Sequence, residues 1–310
     1  MKKKLLSRLG QSLIALLGVA LLLFLMLRVV PGNPAAVMMG EHGDNAAIAR
    51  MTAELGLDQP ILTQFFRYIG DCFTGNFGTS YSLSKPVAEL MGGAFLNTLW
   101  LALAAVLFAW ILGIACGVIA AVRKNGILDH LFMGVSLMGV SIPVFLTAMI
   151  LQYFIAFRLH WLPIAGMDGW KSFILPAVAL GWNSAGSVAR LVRSTLLDIL
   201  QEDYIDTARA KGRSQLGVLV FHALRNAMLP VVTMMALQLS GLLSGAVITE
   251  TMFSINGIGR LAVQAISGRD IPLLQGTVLF STAVVILGNL GADLLYTVLD
   301  PRIRKGGGPQ

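Results

Sequence analysis

The chain has 310 residues, of which 56% are hydrophobic and 13% charged, with a net charge of +7. A soluble domain carries about 25% charged residues, and here the apolar residues gather in blocks of about 20, the length that spans a bilayer. A soluble globular domain is therefore excluded, and the positive balance reads as the loop bias of a membrane protein, with no nucleic acid as partner.

Six spans are predicted in chain order, at residues 9–30, 97–122, 131–157, 172–192, 230–253 and 276–298. The fold class is all-α, a polytopic membrane protein. The first span follows Lys2-Lys3-Lys4 and has no small-x-small cleavage pattern before Pro31, so it reads as an uncleaved anchor. With the N-terminus inside, the inner segments hold Lys2, Lys3, Lys4, Arg8, Arg123, Lys124, Arg190, Arg193, Arg209, Lys211, Arg213, Arg225, Arg302, Arg304 and Lys305, out of 23 basic residues. Both termini are expected in the cytoplasm. The organisation that follows is a tail and first span over 1–30, an external segment over 31–96, a five-helix core over 97–298 with a cytoplasmic loop at 193–229, and a tail over 299–310.

In the external segment, Pro31-Gly32-Asn33-Pro34 should stop the first helix. A helical stretch over Ala46–Leu55, a turn over Gly56–Pro60 and an amphipathic helix over Ile61–Phe73 follow. The apolar residues Leu62, Phe65, Phe66, Ile69 and Phe73 have helical spacing. Two readings stand: a helical cap packed on the span ends, or direct contact with a partner.

Within the spans, Gly113 with Gly117 and Gly241 with Gly245 are spaced for close helix packing in lipid, and Pro143 and Pro176 are expected to kink their helices. Cys72 and Cys116 fall toward opposite sides of the membrane and cannot pair. His42, His130, His160 and His222 lie outside the spans, so no histidine metal site is expected. The 14 methionines read as apolar filler. Polar residues in spans are costly and so carry information; Asn183, Ser184, Gln238, Ser240, Glu250, Asn289 and Asp293 are the candidates. Gln238, Ser240 and Glu250 are set down as candidate path residues, with helix–helix hydrogen bonding as the alternative for the first two. Asp293 has a basic partner at the inner side as its alternative.

The cytoplasmic loop carries the strongest signal. Tyr204–Lys211 suits a short helix, Gly212 its left-handed end, and Ser214 the cap of a second helix running toward Pro230. The expected product is a hairpin outside the membrane. Ala208 and Gly212 would keep its surface flat for a partner, and Asp206, Arg209 and Lys211 would set the register.

This loop resembles the coupling loop of ABC-importer permeases, whose general pattern is Glu-Ala-Ala, three residues, then Gly. Asp206, Thr207, Ala208 and Gly212 hold the matching positions, the first two departing from that consensus. The form Glu202-Asp203-Tyr204-x-x-Thr207-Ala208-Arg209-Ala210-Lys211-Gly212, followed by His222-Ala223-Leu224-Arg225-Asn226-Ala227 and Pro230, is similar to the peptide/nickel family. So, in order, are Leu55–Pro60, Gly75–Ser80, Lys85-Pro86-Val87, Asn97-Thr98-Leu99, Ser141-Ile142-Pro143, Trp161-Leu162-Pro163, Ile174-Leu175-Pro176 and Asp300-Pro301-Arg302. Where the family has Phe-x-Trp-Pro-Gly-x-Gly-Arg, this chain has Phe253-Ser254-Ile255-Asn256-Gly257-Ile258-Gly259-Arg260.

The resemblance implies a non-catalytic permease subunit in a bacterial or archaeal cytoplasmic membrane. Its implied partners are a second, homologous permease, two cytoplasmic ATPase subunits and an external substrate-binding protein. ATP and Mg would be bound by the ATPases; the chain itself contains no Gly-x-x-x-x-Gly-Lys-Ser/Thr loop to cradle phosphates. Peptides, glutathione, nickel and metal chelates are all cargo of similar permeases. Asp206, Thr207, Ala208, Arg209, Lys211 and Gly212 become the expected ATPase-coupling residues. Two rivals are disfavoured. An intramembrane protease needs a buried Ser–His pair, and no histidine lies in a span. A secondary transporter should show an inverted repeat, and none is visible.

Overall fold

The computed structural model describes residues 2–29, 36, 44–54 and 56–299. The expected stop at Pro31–Pro34, His42 and the tail from Asp300 onward lie outside the described residues. Among the described residues the chain is helical, with no strand beyond an isolated bridge between Thr79 and Pro86.

Helix α1 (Lys2–Val29) is the expected first span. The outer segment supplies α2 (Asn45–Glu54) and α3 (Ile61–Thr74). Phe65 and Tyr68 of α3 pack on Phe24 of α1, with ring centroids 5.1 and 5.8 Å apart. This is the helical cap of the first reading. Leu62, Phe66 and Phe73 stay exposed on its other face.

Helix α4 (Val87–Val122) is longer than its expected span. Its 36 residues extend about 54 Å, well beyond a hydrocarbon core of about 30 Å. Its first turns therefore extend beyond the hydrocarbon core. There Val87, Met91 and Ala94 pack with Ile258, Leu261, Ala265 and Leu273.

The third span is broken. Helix α5 (Ile127–Ser141) and α6 (Val144–Leu151) meet at Pro143 with a bend of 106°, and α6 runs on as a π-helical stretch over Gln152–Arg158. Proline clashes with the preceding turn and lacks the N–H that would continue the ladder. Pro176, by contrast, sits in the first turn of α7 (Ile174–Ile199) and produces no kink; at that position its N–H would have no helical partner anyway.

Helix α7 is the expected fourth span. It is long enough to cross a membrane but less apolar than its neighbours. Among the described residues, four helices qualify as spans on both length and composition, or five if the bent pair counts as one. The shortfall has a physical reason: α7 is wrapped by α4, α5 and α6. Its buried residues include Val188, Ala189 and Val192, so little of it must satisfy lipid. The contact is close because α4 offers glycines. A Cβ on Gly117 would lie 2.6 Å from the Ala189 carbonyl, and one on Gly113 2.8 Å from that of Ala185.

Within the loop 193–229, α8 (Asp203–Ala210) and α9 (Gln215–Val218) are followed by a π-helical stretch over Leu219–Leu224 and then α10 (Arg225–Leu243). The loop's second arm thus runs straight into the fifth span, through Pro230. That span ends ten residues earlier than residue 253. Gly245 takes φ +117 and turns the chain into α11 (Val247–Met252). Gly241 has open space around it. The Gly241/Gly245 pair is therefore not a helix contact but the approach to a turn. Helices α12 (Ile258–Ser267) and α13 (Ile271–Leu299) complete the bundle. Arg8 of α1 pairs with Asp293 of α13, the basic partner anticipated for that acid.

Candidate functional site

The hairpin between the fourth and fifth spans folds from local chemistry. Asp203 and Asp206 lie in the first turn of α8 and Arg209 in its last, each sign favourable to the helix dipole. Arg209 Nη1 donates to Asp206 Oδ1 at 2.8 Å, an exposed pair that adds little stability. Thr207 Oγ1 donates to the Asp203 carbonyl at 3.1 Å. Lys211 ends the helix and Gly212 takes φ +78, a conformation that β-branched residues resist. Ser214 then caps the second arm, its Oγ accepting from Gly217 N at 3.2 Å. Asn226 Nδ2 donates to Tyr204 Oη at 2.9 Å and ties the arms together.

One face of the hairpin is spent on its own bundle. Ile205 and Ala208, three residues apart on α8, are buried with Ala121, Leu196, Val218, Ala223 and Ala227. Covering Ile205 is worth roughly 2 kcal/mol. Ala208 was expected on a flat outer surface; it points inward instead, because a two-turn helix gives its single apolar stripe to the bundle. Asp206, Thr207, Arg209, Lys211 and Gly212 remain exposed. On the second arm, Leu216 is 71% exposed and Phe221 67% exposed.

The candidate path residues do not come together. Gln238, on α10, has a buried Oε1 with no hydrogen-bond partner among the described residues. Ser240 is buried, donates to the Ala236 carbonyl at 3.0 Å, and faces Gly288 of α13, where a Cβ would overlap it. Glu250 lies in the outer layer with no exposed surface. Its Oε1 accepts from Thr98 Oγ1 at 2.8 Å and Ala246 N at 3.2 Å, and its Oε2 from Arg260 N at 2.9 Å.

Asn183 Nδ2 reaches the carbonyls of Gly139 and Val140 at 3.3 and 3.2 Å, joining α7 to α5. Asn289 is exposed. Of the described histidines, His130 and His160 are exposed and His222 is half-buried in the hairpin arm. Among the described residues, no three His, Cys, Asp or Glu side chains gather as a metal-sized group.

Two acids escaped the sequence reading. Asp129, in the first turn of α5, is buried and held by Arg193 of α7 through Nε–Oδ1 and Nη2–Oδ2 contacts of 2.6 Å each. Asn125 N adds a third donor at 2.9 Å. Asp270, between α12 and α13, accepts from Ser80 Oγ, Ser82 Oγ and Ser82 N at 2.6, 2.7 and 3.0 Å, and from Leu273 N at 3.2 Å. Burial pushes the Asp270 carboxyl up, but these hydrogen bonds outweigh it and hold the group below the usual carboxylate range. Burial, with Asp270 nearby, also pushes the Tyr81 phenol up to about 12. The available signal was an acid at the edge of a span, where an unpaired charge is expensive.

Comparison with known proteins gives a consistent picture. Residues 113–305 match the family described as the binding-protein-dependent transport system inner membrane component, and residues 1–103 match that family's N-terminal region. The chain is similar to the glutathione transport system permease protein GsiC of Salmonella paratyphi A, 44% identical over 299 residues, covering 96% of this chain and 98% of that protein. Its Escherichia coli K12 counterpart is 42% identical over 286 residues, covering 92% and 94%. Among solved structures, an inward-facing MetNI methionine ABC transporter chain superposes with a TM-score of 0.59 at 18% identity, over 68% of this chain and 97% of that one. That likeness concerns the fold.

Proposed function

Since the chain belongs to the family of binding-protein-dependent transport system inner membrane components, and so is a permease of an ABC importer, we propose that its cytoplasmic hairpin is the element through which ATP hydrolysis drives transport. The observation that carries this is the exposed face of the hairpin. Leu216 and Phe221 of the second arm are large apolar side chains left exposed, and Asp206, Arg209 and Lys211 are charges left exposed on the first arm and the turn after it. In this reading a protein partner covers these side chains, and a partner ATPase subunit is the one that suits a chain without a phosphate-binding loop.

In this reading two ATPase subunits bind ATP and Mg. A second, similar permease completes the path, and both termini lie in the cytoplasm. An external binding protein meets the outer layer, including the turn 253–260. Gln238 is the path residue with an acceptor to offer. The 44% identical relative is named for glutathione, which favours glutathione or a comparably short peptide as cargo over nickel.

Two variants test the coupling role. Gly212→Val strains the turn between the arms, and Leu216→Arg replaces an exposed apolar side chain with a charge. Each should insert and fold, because the bundle is held by helix packing elsewhere. Import of labelled glutathione into proteoliposomes should fall at least tenfold, with weakened ATPase co-purification or hydrolysis no longer tied to import. Normal assembly and wild-type import in both variants would remove the hairpin from this role. Ala208→Glu should behave differently and lower the yield of folded chain, since it forces a charge into the bundle.

A further inference from the structure

We propose that Glu250 is a positioning residue that fixes the shape of the outer turn Phe253–Arg260. The inference rests on the reading above in one respect, that this turn meets the binding protein.

The geometry comes from three chain segments that converge on one carboxyl group. Thr98, on the outer half of α4, is fully buried. Its hydroxyl donates to Glu250 Oε1 at 2.8 Å and accepts from Ile258 N at 2.9 Å. The other oxygen, Oε2, accepts from Arg260 N at 2.9 Å. The Glu250 backbone adds a further tie, its carbonyl accepting from Ile255 N at 2.8 Å. Asn97, the neighbour of Thr98, donates from Nδ2 to the Asn256 carbonyl at 2.9 Å. Each end of the turn is thus bound to the same acid or to the helix that holds it.

Packing says the same. A Cβ on Gly257 would overlap the Glu250 carboxyl, so the turn lies directly against it. Phe253, Ile255 and Ile258 are buried around the group. Buried polar groups are costly unless partnered. Here the carboxyl collects three donors while showing no surface, as expected of a group that organises backbone and not of one that meets cargo. This turn also departs from the family's Trp-Pro form, so its shape cannot come from a proline and must come from elsewhere.

The test uses the full importer, with its partner permease and ATPase subunits, in lipid nanodiscs. Backbone amide exchange reports local opening directly. In Glu250→Ala, exchange at Ile258 and Arg260 should rise at least tenfold. Glu250→Gln keeps one acceptor but sets an amide donor against a backbone donor, so its effect should be smaller. Thr98→Val removes the acceptor of Ile258 N and should free that amide first. The second readout is hydrolysis stimulated by glutathione-loaded binding protein. Its half-stimulating concentration should rise at least fivefold in Glu250→Ala, with the saturated rate within a factor of two of wild type.

Unchanged exchange in both Glu250→Ala and Thr98→Val overturns the proposal, whatever the transport result. Raised exchange with an unchanged half-stimulating concentration upholds the positioning role and overturns the contact between this turn and the binding protein. A loss of import per ATP in Glu250→Gln without any change in exchange assigns the residue to the path and overturns the proposal.

Discussion

Arg193 holds Asp129 through two contacts of 2.6 Å, and the pair ties the inner end of α7 to the first turn of the broken span. The Asp129 side chain is 2% exposed and that of Arg193 26%. Removing one partner of such a pair leaves a charge without compensation, while the intact pair itself adds little net stability. Arg193→Ala should therefore cost about 3 kcal/mol, the lower end of the usual range because the arginine is partly wet. The double variant Asp129→Asn/Arg193→Gln should lose less than the sum of the single changes. Thermal unfolding in detergent measures both, and strict additivity would show that the contact is energetically idle.

The two glycine pairs should behave differently. Gly117→Ala forces a methyl to 2.6 Å from the Ala189 carbonyl. Overpacking of this kind costs about 1–3 kcal/mol. Gly241→Ala meets nothing within 4 Å and should stay within about 0.5 kcal/mol of wild type. Equal unfolding midpoints for the two variants would contradict the close α4–α7 crossing.

Asp270 gives a pH dependence with a definite sign. Its carboxyl is held below its unfolded value by the serine and backbone donors. Such a group contributes stability that is fully present above the unfolded carboxyl pKa of about 3.9 and is lost as pH falls through the lower folded value. Between pH 5 and 8 this contribution should be flat, and below about pH 4 it should decline. Asp270→Asn should unfold more easily at neutral pH and lose less on acidification. Parallel stability curves for variant and wild type would exclude the latch.

Orientation can be read by labelling. Cysteines placed at Lys85 and at Gln215, both exposed, should differ in intact cells. An impermeant thiol reagent should reach the first and not the second. Labelling at Gln215 would invert the topology that the basic residues favour.

The hairpin was legible because its signals are local. Gly212 and Ser214 declare a turn and a cap within three residues of the atoms they serve, and the apolar spacing of α3 needs only its own sequence. What stayed hidden depends on distant partners. Thr98 and Glu250 are separated by 152 residues, and nothing near either one announces the other. Gly241 and Gly245 have the same spacing as Gly113 and Gly117, yet only the latter pair meets a facing helix. Ala208 matched a coupling motif, but motif membership does not say which way a side chain points. α7 looked like its neighbours as a span and proved less apolar, because protein and not lipid surrounds it.

The helical rod from Gln215 to Leu243 has a mechanical consequence. At 29 residues it is roughly 43 Å long, and it carries Leu216 at one end while delivering the chain to the Glu250 turn at the other. Leu216 is exposed at its end of the rod, and no loop intervenes between the two ends. A tilt of about 5° at the inner end would swing the outer end by about 4 Å, more than the length of any hydrogen bond to the Glu250 carboxyl. Under the proposed coupling role the rod would act as a lever, with the acid-bound turn as its load.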